Sequence, residues 1–263
     1  MTILEQFIKG KKQNPELCED GLFINDNFIA VIDGVTSKSN TLFNGKAGGR
    51  AAMEKTKEFL STADADSTPE QLFNGINDAV RGLYDGTPTG EAAVFAVIYN
   101  IKQKKIQSIG DCQYLINGVH HTDEKIFDKI VGDARALALE LARLDGESDE
   151  NLLSNDIGRE FIMPLLKKQH LLANSSSKYG FAVLNGTPFD TSKILTFDVK
   201  ENDTIIMASD GYPEIFDTLE KTEERLKEII NKDPLCDTDF ISTKGIVPGN
   251  TSFDDRTYIK FTV

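Results

Sequence analysis

The sequence predicts an α+β protein built of antiparallel sheets covered by helices. Three observations carry this. Short apolar runs joined by turn residues stand at both ends of the chain, segments of helical periodicity fill the middle, and the strand–helix–strand alternation of a parallel sheet does not recur. The 263 residues predict a single domain spanning 1–263, and 40% hydrophobic with 27% charged residues is ordinary for a folded chain.

Ile3–Ile8 is apolar but too short for its pattern to choose between an edge strand and a helical turn. Leu22–Ile24 and Phe28–Ile32, joined by Asn25-Asp26-Asn27, read as a hairpin whose antiparallel pairing sets Asp20 opposite Asp33. A helix is predicted over Lys46–Leu60, with Ala47, Ala51, Lys55 and Phe59 on one side and a start weakened by Gly48-Gly49. The next helix is the best marked in the chain. Thr68 caps it, Pro69 takes the first helical position, Gln71 closes a capping box, and Leu72, Ile76, Val80 and Leu83 form its apolar face.

Ala92–Tyr99 reads as a buried strand, Lys105–Ile109 as its partner, and Gln113–Ile116 as a strand turning at Asn117-Gly118. Glu124–Leu144 is predicted as a long helix that points Ile126, Ile130, Leu137, Leu141 and Leu144 inward and ends at Gly146. Asn151–Leu172 is helical with a break near Pro164. Strands are expected at Tyr179–Leu184, Ile194–Phe197 and Thr204–Ala208, and helices at Tyr212–Leu219 and Glu223–Ile230. Tyr258–Val263 closes the chain as a strand with Ile259, Phe261 and Val263 on one face.

Lys plus Arg number 29 against 42 Asp plus Glu, a net charge of −13, and no basic cluster offers a face for phosphate backbones, so nucleic acid is excluded as a partner. The amino-terminal MTILEQFIKGKKQ lacks the apolar core of a signal peptide and carries its lysines after the apolar residues, which predicts a protein that is not exported. No window approaches the roughly 18 consecutive apolar residues of a membrane span. Cys18, Cys112 and Cys236 are odd in number and widely spaced, which fits a reducing cytoplasm with neither disulfides nor a zinc site. A monomer is expected.

Carboxylates recur where apolar runs end. Glu19-Asp20 opens the first hairpin and Asp33-Gly34 closes it, Gly110-Asp111 follows Ile106–Ile109, Ser209-Asp210-Gly211 follows Thr204–Ala208, and Asp254-Asp255 precedes the last strand. One Asp-Gly is an ordinary turn. Adjacent carboxylates, however, raise one another's pKa unless a cation sits between them, so a metal is the first thing the pattern suggests.

CED(x)12DGV, IGDCQYLI, ASDGYPEIF and SFDDRTYIKF, in this order and over nearly the whole chain, resemble the protein phosphatase 2C family, the metal-dependent serine/threonine phosphatases also called PPM, in a divergent bacterial-type form. The resemblance implies a four-layer α-β-β-α sandwich, two antiparallel sheets flanked by helices, with a metal centre at one edge. It implies two Mn2+ or Mg2+ ions, which favour carboxylate, carbonyl and water oxygens. Asp33 would bridge them, the Gly34 carbonyl would bind one, Asp210 and Asp254 would hold the other, and Glu19 with Asp20 would steady metal-bound waters. Asp123 matches a ligand of a third ion, with the cap of the long helix as its other reading, and Asp111 is assigned a structural role.

The implied activity is hydrolysis of phosphoserine and phosphothreonine in a phosphorylated protein by a hydroxide bridging the metals. Three departures bear on it. Val35 stands where many members carry a histidine, so protonation of the leaving group falls to metal-bound water, His120 or His121. The phosphate-binding arginine is missing, with Lys11 or Lys12 as replacements, and Thr36-Ser37-Lys38 replaces a Gly-Gly. The alternative is a phosphatase-like protein, weak or inactive in catalysis, that binds a phosphoprotein or regulatory partner.

Overall fold

Alternation along the strands decides which side chain meets which layer in this computed structural model, which describes residues 1–263. In chain order the strands are β1 (Thr2–Lys9), β2 (Gly21–Ile24), β3 (Phe28–Gly34), β4 (Leu42–Phe43), β5 (Lys46–Ala47), β6 (Val94–Asn100), β7 (Lys105–Ile109), β8 (Gln113–Ile116), β9 (Val119–His121), β10 (Leu195–Asp198), β11 (Thr204–Ala208) and β12 (Arg256–Thr262). The helices are α1 (Gly48–Leu60), α2 (Pro69–Arg81), α3 (Ile126–Leu144), α4 (Asp149–Ser154), α5 (Ile157–Leu166) and α6 (Leu219–Lys232). One sheet has the order β1-β12-β11-β8-β9 and the other β10-β7-β6-β3-β2, with every neighbour antiparallel.

In β3, Ile29 and Val31 enter the core between the sheets, where Val97, Met207, Ile259 and Phe261 meet them. Phe28, Ala30 and Ile32 point the other way, onto Met53 and Leu60 of α1 and Leu72 and Ile76 of α2. On the far side, Ile206, Ala208 and Tyr258 pack under Leu226 and Ile229 of α6. The result is the expected four layers, helix on sheet on sheet on helix. The capping box of α2 forms as read, Thr68 accepting from the Gln71 N–H at 3.2 Å and Gln71 from the Thr68 N–H at 2.9 Å. No helix is long and apolar enough to cross a membrane, and all three cysteines are free and buried.

Four expectations are corrected. In α3 the predicted inward stripe faces out: Ile130, Leu137, Leu141 and Leu144 are exposed, and Val131, Arg135, Leu139 and Ala142 are buried. Both stripes are helically spaced, and the one that faces inward carries Arg135, whose buried guanidinium binds Asp156 and the carbonyls of Leu235, Cys236 and Ser242. The break after α4 falls at Asp156, which caps α5 by accepting from the Arg159 N–H at 2.7 Å, and Pro164 stays inside that helix near its end. Residues 179–184 make only isolated bridges, because the Asn174 side chain takes the Val183 N–H and carbonyl that a partner strand would use. No helix forms over 212–218: the Tyr212 carbonyl accepts from the Gln113 side chain and the Phe216 N–H donates to Thr222, so these backbone groups are committed elsewhere. The undecided Ile3–Ile8 lies in β1, an edge strand.

Candidate metal centre

Topology gathers the carboxylates at one end of the sandwich. β3 and β7 both pair antiparallel with β6, so they run the same way and their ends deliver Asp33 and Asp111 to the same edge. β11 and β12 are antiparallel, so Asp210, just after β11, comes beside Asp254 and Asp255, just before β12. Two glycines permit the approach. Gly110 has φ +85° and a Cβ there would lie 1.9 Å from the Phe95 ring, while a Cβ on Gly211 would lie 1.9 Å from the Asp255 carbonyl oxygen.

The first half of the centre is Asp33, Asp111 and Asp210, whose nearest ligand atoms all lie within 4.8 Å of one another. Asp111 gives Oδ2 to the Lys125 ammonium at 2.8 Å, whereas its Oδ1 is buried with no hydrogen-bond partner. Lys125 also pairs with Asp128 at 3.0 Å and lies 4.5 Å from the centre of the Phe95 ring. Burial, then the charges of Asp210 and Asp20, raise the Asp33 carboxyl well above the usual range. The Asp210 carboxyl opens to the cavity, yet poor solvation and the nearby Asp111 push it up to about 7. One ammonium does not balance three clustered carboxylates.

The second half is built differently. Lys11 places its Nζ 2.6 Å from Asp254 Oδ1, 3.2 Å from Thr36 Oγ1, 3.6 Å from Asp255 Oδ2 and 3.9 Å from Glu19 Oε2. Lys244 donates to the other Asp254 oxygen. Burial opposes the charge on Asp254, but Lys244 and Lys11 overcome it and hold the carboxyl below the usual carboxylate range. Asp255 is a brace: Oδ1 accepts from the Lys11 N–H at 2.7 Å and Oδ2 from the Glu19 N–H at 2.9 Å. Glu19 Oε2 accepts from Thr36 at 2.6 Å, and its Oε1 is buried without a partner.

The other expected site residues are placed as follows. Gly34 pairs with Val94 as the last residue of β3. Asp20 is buried beside the centre and accepts from Thr257 Oγ1 at 3.0 Å. Lys12 and Asp123 are exposed, neither in the carboxylate cluster, and α3 begins after Lys125, so Asp123 does not cap it. His121 is stacked on the ring of Tyr114 (5.2 Å) and lies at a tilt against that of Phe197 (4.4 Å). His120 lines the cavity instead, with Nε2 3.1 Å from Gln113 Oε1.

That cavity measures about 950 Å³ and has Asp33, Asp111 and Asp210 in its wall, with Lys38, Lys125 and Lys244 among the cations around it. Crowding by protein and the neighbouring charges of Lys244 and Arg159 bring the Lys38 ammonium down to about 8. Neither Lys125 nor Lys244 is marked in the sequence. Both lie in segments without a motif, and only the fold brings them to the carboxylates.

No family model and no curated protein matches the sequence. Solved structures do resemble the fold. The serine/threonine phosphatase PstP/Ppp of Mycobacterium tuberculosis matches with a TM-score of 0.50 at 12% identity, over 99% of this chain and 98% of that one. The catalytic domain of PstP in complex with two manganese ions matches at 0.51 and 12% identity over the same shares. The photosystem II phosphatase PBCP matches at 0.52 and 15% identity, over 98% of this chain and 97% of that one. At these identities the likeness is one of fold, two antiparallel sheets flanked by helices.

Proposed function

We propose that this chain is a metal-dependent protein serine/threonine phosphatase of the protein phosphatase 2C type, acting on phosphoserine and phosphothreonine. The observation that carries the reading is the cluster of Asp33, Asp111 and Asp210 in the wall of a large cavity rimmed by lysines. A hard divalent cation fits this half of the centre, because the donors are carboxylates and Asp111 Oδ1 is buried without any other partner. Manganese or magnesium held by Asp33, Asp111 and Asp210 would supply Lewis acidity, acidifying water and offsetting charge on the phosphoryl oxygens.

The chain's own residues supply the rest. Lys38 and Lys244, with Arg159 near them, would draw a dianionic phosphate into the cavity, the task of the absent arginine. Gln113 donates its amide to the Tyr212 carbonyl at 2.5 Å, which turns its Oε1 towards His120 and places a proton on His120 Nε2. With Nε2 engaged, His120 Nδ1 is left as the accepting nitrogen. A proton it has first taken from water would be the one passed to the departing serine or threonine oxygen, leaving the imidazole neutral again.

The test is hydrolysis of a phosphothreonine peptide with Mn2+, with Mg2+ and with chelator, beside Asp210→Asn. Turnover that needs metal and disappears in the variant is expected. The pairing of both Asp254 oxygens with lysines favours a second reading, a phosphoprotein-binding protein without turnover. Peptide binding with no hydrolysis under either metal would establish that reading and overturn the first.

A further inference from the structure

The lysine at position 11 is held as a metal would be. Its ammonium faces oxygens of Glu19, Thr36, Asp254 and Asp255, four residues drawn from three separate stretches of chain, at 2.6 to 3.9 Å. Its backbone is pinned as well, the N–H to Asp255 and the carbonyl to the Thr251 N–H at 2.8 Å. The side chain is only 11% exposed. This is not a surface lysine that has swung onto a convenient carboxylate, because pinning and burial remove most of its freedom.

Asp254 is correspondingly full. Oδ1 accepts from Lys11 and from the Asp255 N–H at 2.9 Å, and Oδ2 accepts from Lys244. It is absent from the group of carboxylates close enough to share an ion, which contains Asp33, Asp111 and Asp210 alone. A divalent cation at Asp254 would have to expel an ammonium already surrounded by oxygens.

We infer that Lys11 stands permanently where a second divalent cation would bind, so that the centre holds one ion, at Asp33, Asp111 and Asp210, and an ammonium in place of the other. The inference rests on the metal-dependent reading above and changes its expected stoichiometry from two ions to one. It assigns to Lys11 neither substrate binding nor solvent contact but internal charge compensation for Glu19, Asp254 and Asp255.

The experiment is a count. Chelator-stripped protein is titrated with Mn2+ by calorimetry, the bound metal is measured after gel filtration, and the EPR spectrum of bound Mn2+ is recorded. One ion per chain with an uncoupled signal is expected for the wild-type protein. Two ions with an exchange-coupled signal would overturn the inference and leave the phosphatase reading standing. No bound metal would overturn both.

Lys11→Ala should raise the count to two, and a count still at one would refute the role given to Lys11. Asp254→Asn, which keeps the shape of the side chain, should leave the count at one. A count reduced by Asp254→Asn would make Asp254 a ligand and overturn the inference even if the Lys11 variant does not fold.

Discussion

The two halves of the acidic centre are written in the same residues and resolved in opposite ways. Asp33, Asp111 and Asp210 face one another with one ammonium, Lys125, on one oxygen of Asp111. Glu19, Asp254 and Asp255 face Lys11 directly, and Lys244 adds a second ammonium on Asp254. Uncompensated buried charge costs several kcal/mol per ion, so the first half is short of positive charge until a cation arrives, whereas the second already holds two ammoniums and leaves only Glu19 Oε1 without a partner. Carboxylates at strand ends therefore do not by themselves state how many metals a centre holds. The lysines around them do.

The strongest test of this contrast is Asp33→Asn. Turnover should fall by about a thousandfold or more in phosphopeptide kinetics. In chelator, by contrast, stability should stay level or rise by about 1 kcal/mol, since a repelling charge is removed. A fall in metal-free stability would mean that Asp33 is paired in some way that the contrast denies.

Lys11→Met should do the reverse. Breaking a buried pair leaves Glu19 and Asp255 uncompensated and Asp254 with Lys244 alone, for a loss of about 3–5 kcal/mol in urea denaturation. Added Mn2+ should recover part of that loss. An unchanged midpoint would show that Lys11 compensates nothing.

Metal should stabilise the wild-type protein through the first half only. At a free concentration one hundred times Kd the gain is about 2.7 kcal/mol. Asp210→Asn should abolish most of the gain, while Asp254→Asn should keep it. Thermal melts with and without Mn2+ separate the two.

The smallest effect concerns Lys38 at the cavity. Its ammonium is brought down to about 8, so it is charged below that pH and neutral above, and its attraction for phosphate weakens as pH rises. KM for a phosphopeptide should therefore climb by about fivefold between pH 7 and 9, discounted for solvent access, with kcat moving less. Lys38→Met should start at the higher KM and show no such climb.

The helices teach how far pattern reaches. The start of α2 was legible to the residue, because a capping box is a local property, while Leu83, expected on its apolar face, falls beyond its end at Arg81. α3 was legible as a helix but not in its orientation, because two apolar stripes share the same period and the contacts of Arg135 with Asp156 and three distant carbonyls settle which turns inward. The segment at 179–184 reads as a strand, but Asn174 replaces the neighbour a strand needs.

The four-layer stacking was implied by the family resemblance; the sequence's own pattern determined antiparallel sheets covered by helices, the hairpin register that brings Asp20 to Asp33, and the carboxylates at the ends of β3, β7 and β11 and the start of β12. These depend on alternation, turns and caps, which act over a few residues. Only the tertiary structure decided that Lys11 reaches Asp254 across 243 positions, that Lys125 lies under Asp111, and that His120 rather than His121 opens to the cavity. Ion pairing leaves no periodicity in the chain: the partners of a buried charge are chosen by packing, and packing is a property of the whole fold.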